Sequence, residues 1–175
     1  GAAMDGFMWF GLAARHAGLS DIVHDERLRD AVRFLAKLST PPDPRFHNRR
    51  HLPPIGNTYT FETSSQFGIM ASIWRDRDRE FGETMQWMWQ EQGLPENMGV
   101  GGDAGIHWHA HMLLDPEWHA GKPLDLSSEL FPKFGAALRS HHPSGRETYM
   151  PYHVGPWLYH YDRDMGSITL WGKGR

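Results

Sequence analysis

The spacing of apolar residues changes along the chain, and this change constrains the fold more than any other feature. In "HDERLRDAVRFLAKLST", Leu28, Val32 and Leu35 recur at helical spacing. Later stretches such as "FGAALRS", "ETYMPYHV", "PWLYHY" and "GSITLWG" are short, aromatic or β-branched, and separated by Gly, Pro and Ser. Helices followed by strands predict an α+β fold, with helices in residues 1–118 and an antiparallel sheet beginning in residues 119–175.

Helix boundaries can be predicted from capping residues. The stretch "GFMWFGLAARHAGLS" is expected to end at Gly18, and Asp25 is expected to cap the second helix. Thr63 or Ser64 is predicted to cap a third helix, and Asp103 a later one through "IHWHAHMLLD". The stretch "DRDREFGETMQWMWQEQG" predicts a fourth helix that ends before Gly93 and pairs with the third. Its apolar stripe consists of Phe81, Met85, Met88 and Trp89.

The number of strands limits the architecture. Four short strands are fewer than the seven or so that a two-sheet sandwich needs. We therefore expect the chain to be part of a longer protein in which the sheet continues.

A proline-rich segment, "TPPDPRFHNRRHLPPIGNTYTF", separates the second and third helices. Its five prolines predict a long loop. Long ordered loops are often functional, and arginine binds carboxylate or sulfate through two hydrogen bonds. The loop is either a ligand-binding segment or a solvated basic loop. Its polar side chains are Arg45, His47, Asn48, Arg49, Arg50, His51, Asn57 and Tyr59.

Three histidines in "IHWHAHMLL" form a second candidate group. On a helix only His107 and His111 would share a face, whereas on a strand His109 would join them. A zinc-protease helix would also carry Glu at the position of Trp108. The alternatives are a metal hydrolase site and histidines of a core or interface.

The stretch "LYHYDRDMGS" is a third candidate. On a strand, His160 and Asp162 point to one side and Tyr159 and Tyr161 to the other. A His and an Asp two residues apart can bind a divalent ion, or can transfer a proton with the carboxylate orienting the imidazole. An exposed acidic hairpin would show the same alternation.

Charge and composition exclude several functions. A formal charge of -3 gives no basic footprint for nucleic acid, and no apolar stretch is long enough to span a bilayer. The absence of cysteine leaves nitrogen and oxygen ligands for any metal. The 12 His and 8 Trp residues favour flat polar ligands such as sugars, unless they only build an aromatic core.

The order of three segments resembles the heparinase II/III-like polysaccharide lyases. These segments are "TPPDPRFHNRRHLPPIGNTY", "FPKFGAALRS" and "YHYDRDMGSITLWGKG". The resemblance implies part of an (α/α) helical toroid followed by the first strands of a β-sandwich, with a cleft for acidic polysaccharide. It implies β-elimination at a uronic acid, and we expect a periplasmic or secreted location, with the cytoplasm left open.

The resemblance also implies residue roles. His160, Tyr59 and His51 are the candidate catalytic residues. A divalent ion, zinc or calcium, would be held by His160, Asp162 and Asp164, with Asp162 at a position where many relatives have histidine; Gly166 and Ser167 complete the motif. The candidate substrate-binding residues are Asn48, Arg49, Arg50, Asn57 and Tyr159.

The alternative functions are a non-catalytic glycan-binding protein of the same fold and the histidine-cluster hydrolase. The substrate would be an acidic polysaccharide or oligosaccharide, with no nucleic acid or membrane partner.

Overall fold

In the described part of the chain, four α-helices accompany an antiparallel sheet. The computed structural model describes residues 2–55, 61–93, 121–142, 144, 146–154 and 166–172. The helices are α1 (Ala2–His16), α2 (Glu26–Leu38), α3 (Gln66–Trp74) and α4 (Arg79–Glu91), and the strands are β1 (Glu129–Phe131), β2 (Gly135–Ser140) and β3 (Thr148–His153). The predicted mixture of helix and strand is therefore confirmed.

The chain divides into two compact units. Among the described residues, the first unit consists of 2–36, 64–93 and 121–124, and the second of 37–55, 61–63 and those from 125 to 172. The proline-rich loop thus belongs to the unit that contains the strands. The predicted boundary at residue 118 stays a prediction.

The helix ends follow the predicted capping rules, with one shift. Gly18 adopts φ 69°, and the Leu19 N–H donates to the Ala14 carbonyl at 2.9 Å, which closes the C-terminus of α1. The Asp25 carboxylate accepts from the Arg27 N–H at 2.8 Å at the start of α2.

Helix α3 begins at Gln66, later than the predicted caps imply. Ser65 is its N-cap and makes no capping bond with its side chain, whereas the Ser64 hydroxyl accepts from the Gln66 N–H at 3.3 Å. The backbone of Ser64 is held outside the helix by the Gln92 amide, which accepts from the Ser64 N–H at 2.7 Å and donates to its carbonyl at 3.2 Å. These two hydrogen bonds to the end of α4 explain why α3 begins only at Gln66.

Helices α3 and α4 pack against each other in the core of the first unit. The predicted stripe of α4 is confirmed, because Phe81, Met85, Met88 and Trp89 are all buried. A β-carbon on Gly68 of α3 would lie 3.0 Å from two ring carbons of Trp89. Glycine therefore lets the indole lie directly against the backbone of α3. None of the described helices is long and apolar enough to cross a membrane.

The sheet of the second unit has the order β1-β2-β3, with both pairings antiparallel. The predicted strands in "FGAALRS" and "ETYMPYHV" are confirmed, whereas β1 was not predicted. The segment 166–172 joins β3 through the bridges Tyr149↔Trp171 and Tyr152↔Ile168. The predicted strand "PWLYHY" lies outside the described residues.

Gly135 is required at the start of β2. It adopts φ 147°, and a β-carbon there would lie 1.9 Å from the Tyr152 carbonyl oxygen. The glycine of "FPKFGAALRS" thus allows β2 to begin close against β3.

The two faces of the sheet differ in exposure. The inner face is buried and carries Ala137, Tyr149, Pro151 and Trp171. The outer face carries large apolar side chains that are exposed to solvent, which are Leu130, Leu138, Tyr152, Ile168 and Leu170. The register puts these residues on one side, since Ala136 pairs with both Leu130 and Tyr152.

Replacing Gly68 by Ala tests the contact between α3 and α4. We expect Gly68→Ala to lower the free energy of unfolding by about 1–3 kcal/mol, because the added methyl group crowds the buried Trp89 ring. Gly6→Ala in α1 is the matched control, since nothing lies within 4 Å of a β-carbon there. That change should stabilise the protein by about 0.5–1 kcal/mol through helix propensity. If urea unfolding gave the same change in stability for Gly68→Ala and Gly6→Ala, the close contact between Gly68 and Trp89 would be contradicted.

Candidate functional site

The proline-rich loop folds into a closed turn, residues 43–49, which we call the basic turn. The Asp43 N–H donates to the Arg49 carbonyl at 3.0 Å, and the Asn48 N–H donates to the Asp43 carbonyl at 2.9 Å. A single 3₁₀ turn, Pro44–Phe46, lies between them. Proline suits the start of this turn because it has no N–H to satisfy and its φ is already fixed.

Two consecutive residues of the basic turn have left-handed backbone. His47 has φ 55° and Asn48 has φ 56°, and neither is glycine. This conformation costs roughly 1–2 kcal/mol for a residue with a β-carbon, although asparagine and histidine tolerate it better than most. The surrounding hydrogen bonds hold it, and both side chains are exposed as a result.

The Asp43 carboxylate joins the basic turn to its surroundings. It is fully buried and accepts from the Arg45 N–H at 2.9 Å, Arg45 Nε at 3.0 Å and Arg45 Nη2 at 2.6 Å. His51 Nε2 lies 3.3 Å and Trp171 Nε1 3.4 Å from its Oδ2. The hydrogen bonds from Arg45, assisted by His51, hold the pKa of Asp43 well below its usual range.

His51 is enclosed in the second unit. Its side chain is 3% exposed, and Phe46, Phe61 and Trp171 contact the ring at edge-on angles. Nδ1 lies 2.8 Å from the Leu52 carbonyl, and Nε2 faces Asp43. Both ring nitrogens therefore face acceptor oxygens within the protein. The predicted catalytic role of His51 stays a prediction, and it requires the ring to leave these contacts.

A second buried network connects the loop to the sheet. Arg50 pairs with Glu147 through two bonds, Nη2 to Oε2 at 2.9 Å and Nη1 to Oε1 at 3.3 Å, and Arg50 Nη1 also donates to the Thr40 carbonyl at 2.9 Å. Arg139 of β2 donates to the same carboxylate at 3.0 Å. The side chains of all three charged residues are at most 3% exposed.

One carboxylate thus faces two guanidinium groups, and the second positive charge needs other partners. Arg139 donates to the carbonyls of Lys37 and Ser39, and its Cζ lies 4.0 Å from the centroid of the Tyr149 ring. Carbonyl oxygens and the electron-rich face of an aromatic ring both stabilise a cation. Tyr149 in turn donates its hydroxyl to the Leu38 carbonyl at 2.6 Å.

Burial and charge act in opposite directions on these groups. Burial alone would raise the pKa of Glu147, but the hydrogen bond from Arg50 and the charges of Arg50 and Arg139 hold it below its usual value. Burial lowers the pKa of Arg139 and raises that of Tyr149. Tyr149 is therefore a neutral hydrogen-bond donor rather than a source of phenolate.

The structure separates the candidate residues of the loop into exposed and buried sets. Asn48 is exposed and Arg49 is half-buried, whereas Arg50 and His51 are buried in the two networks. The remaining candidates lie outside the described residues: Asn57, Tyr59, Tyr159, His160, Asp162 and Asp164. The histidines of "IHWHAHMLL" also lie outside them.

Sequence reasoning missed Asp43, Glu147, Arg139 and Trp171. The signal for Asp43 was present, since "DPR" repeats the Asp-x-Arg spacing of "DER" at the start of α2. No local signal marks Glu147. Within the described residues, no three His, Asp or Glu side chains gather as a metal site. The predicted zinc or calcium ligands fall beyond that part of the chain.

Comparison with known proteins adds no relative. No family model, no curated protein and no solved structure matches the chain.

Removing the charge of Glu147 tests the second network. We expect Glu147→Gln to lower the free energy of unfolding by about 3–5 kcal/mol, because two buried guanidinium groups lose their counter-charge. Glu83→Gln is the matched control, since Glu83 pairs with the exposed Arg79 at 2.8 Å and such pairs contribute about 0.5 kcal/mol. A cost for Glu147→Gln as small as that of the control in urea unfolding would contradict the dependence of the two buried guanidinium groups on the Glu147 charge.

The same variant tests the pH dependence of stability. The pKa of Glu147 is lower in the folded protein than its ordinary value of 4.5, so the unfolded chain binds more protons just below that pH. The contribution of Glu147 is present above pH 4.5 and is lost as the pH falls through the folded pKa. Wild type should therefore lose stability more steeply than Glu147→Gln in acid. Parallel curves from thermal unfolding at several pH values would refute this.

Proposed function

We propose that the protein is a polysaccharide lyase that cleaves a uronic-acid-containing glycan by β-elimination. The observation that carries the proposal is the basic turn, which presents His47 and Asn48 beside the largely exposed Arg45 guanidinium and the half-buried Arg49. Cationic and amide groups held in fixed positions suit the carboxylate of a uronate. The resemblance of "FPKFGAALRS" and "YHYDRDMGS" to the heparinase II/III-like lyases supports the same reaction.

The reaction needs three functions at one sugar. A base removes the proton at C5, the electron pair forms the C4=C5 double bond, and the C4–O4 bond breaks with a proton delivered to O4. The proton at C5 becomes acidic enough only when the neighbouring carboxylate is neutralised. We assign neutralisation to Asn48, Arg49 and Asn57, and proton transfer to His160 and Tyr59.

The finer features belong to the same proposal. They are a helical toroid that precedes a β-sandwich, a substrate contact by Tyr159, and a divalent ion held by His160, Asp162 and Asp164. A periplasmic or secreted location suits a polymeric substrate. The catalytic role of His51 and the substrate contact of Arg50 stay predictions, and both side chains are buried in the structure.

The proposal is tested with alginate, ulvan, heparan and chondroitin as substrates. The ultraviolet absorbance of the unsaturated uronyl product should rise with at least one of them, and His160→Ala should abolish the rise. Asn48→Ala and Arg49→Ala should each reduce kcat/KM about tenfold or more, as expected for a lost hydrogen bond to a charged group. Arg33→Ala, at an exposed arginine of α2, is the control. Absence of product from every acidic glycan would exclude the activity.

A non-catalytic glycan-binding protein is the second candidate. It is favoured by the contacts of His51, whose two ring nitrogens face Leu52 and Asp43 rather than solvent. Such a protein would retain uronate polymers in affinity electrophoresis and release no unsaturated product. Asn48→Ala would then weaken retention, and His160→Ala would leave it unchanged.

A further inference from the structure

Two Asp-x-Arg motifs in the chain have the same local geometry. In "DER", Asp25 accepts from the Arg27 N–H at 2.8 Å, Arg27 Nε at 2.9 Å and Arg27 Nη2 at 2.6 Å. In "DPR", the corresponding bonds from Arg45 to Asp43 are 2.9, 3.0 and 2.6 Å. The carboxylate and the guanidinium form a compact ring in both.

The two motifs differ in what surrounds the carboxylate. Asp25 is 27% exposed at the end of a helix, whereas Asp43 is 0% exposed. Asp43 alone of the two also lies within hydrogen-bonding reach of His51 Nε2 and Trp171 Nε1. Its side chain therefore contacts a neighbouring stretch of the loop and the segment that extends the sheet.

The backbone of Asp43 closes the basic turn. Its N–H donates to the Arg49 carbonyl, and its carbonyl accepts from the Asn48 N–H and from the Phe46 N–H at 2.9 Å. A movement of Asp43 would release the left-handed pair His47 and Asn48. Through its side chain and its backbone, Asp43 thus connects the exposed residues His47 and Asn48 to the buried part of the second unit.

We propose that Asp43 is the positioning residue of the basic turn, which fixes Asn48 and Arg49 for the carboxylate of an acidic glycan. The inference rests on the proposed function for its substrate. Asp43 does not touch substrate, because its side chain is buried. It acts through the hydrogen bonds that fix the turn and through the orientation of Arg45.

The substitution Asp43→Asn tests the proposal, with Asp25→Asn as the matched control. Both changes keep an acceptor for the local N–H and remove the charge beside an arginine. We expect Asp43→Asn to raise KM for the cleaved glycan about tenfold, because a charge-assisted contact loses its alignment. Asp25→Asn should leave KM unchanged. A variant that is only less folded would show a lower kcat at the wild-type KM, and this result would overturn the proposal.

Hydrogen exchange of the whole chain gives a readout that needs no turnover. In Asp43→Asn, the amides of Arg45 and Asn48 should exchange about tenfold faster or more, while the amides of α4 keep their wild-type rates. If the wild-type protein cleaves no glycan, the proposed function fails while this measurement still decides the role of Asp43. Unchanged exchange, or faster exchange throughout the chain, would count against it.

Trp171→Phe provides a second variant in case Asp43→Asn does not fold. It removes the indole N–H that faces Asp43 and keeps an aromatic ring beside His51 and Tyr149. We expect Trp171→Phe to raise KM and to speed exchange of the Asn48 amide, both by less than Asp43→Asn does. Wild-type values for both would contradict the role of the buried carboxylate.

Discussion

The second unit depends on the buried carboxylate of Glu147, which lies between Arg50 of the loop and Arg139 of β2. Removing three charged groups from water is costly, so such a network adds little net stability compared with apolar residues of the same size. Its value lies in specificity. Any buried arrangement in which Arg50 does not reach Glu147 leaves the Arg50 guanidinium without its counter-charge, and this favours the observed position of the loop.

This constraint divides the basic residues of the loop into two groups with different roles. The Arg50 side chain is buried and binds the Glu147 carboxylate of the protein itself. Arg45 is held by Asp43 but remains 64% exposed, and Asn48 is carried at the surface by the left-handed backbone of the turn. The buried ion pairs hold the scaffold, and in the proposed function the exposed Asn48 side chain is one of the groups that contact the uronate carboxylate.

The sequence predicts the local features of the structure well and the long-range ones poorly. The stripe of α4 and the end of α1 at Gly18 follow from periodicity and capping, which involve neighbouring residues. Strand β1 was not predicted because its three residues, Glu129–Phe131, are too few to show alternation. The pairing of Arg50 with Glu147 joins residues 97 positions apart, and no local pattern can reveal it. Burial of His51 has the same origin in part, since Trp171, which contacts its ring, comes from a distant position in the chain.

The sheet bears on the architecture because its outer face is largely apolar. The inner face is buried, whereas the outer face exposes Leu130, Ile168 and Leu170 to solvent in the described part of the chain. A sheet with one face in water normally alternates apolar and polar residues, while one packed on both faces is apolar throughout. The outer face therefore has the composition of a surface that packs against a further layer. A second layer of the proposed sandwich would cover such a face, and this argument uses the strand register and the exposure of the side chains rather than the family resemblance.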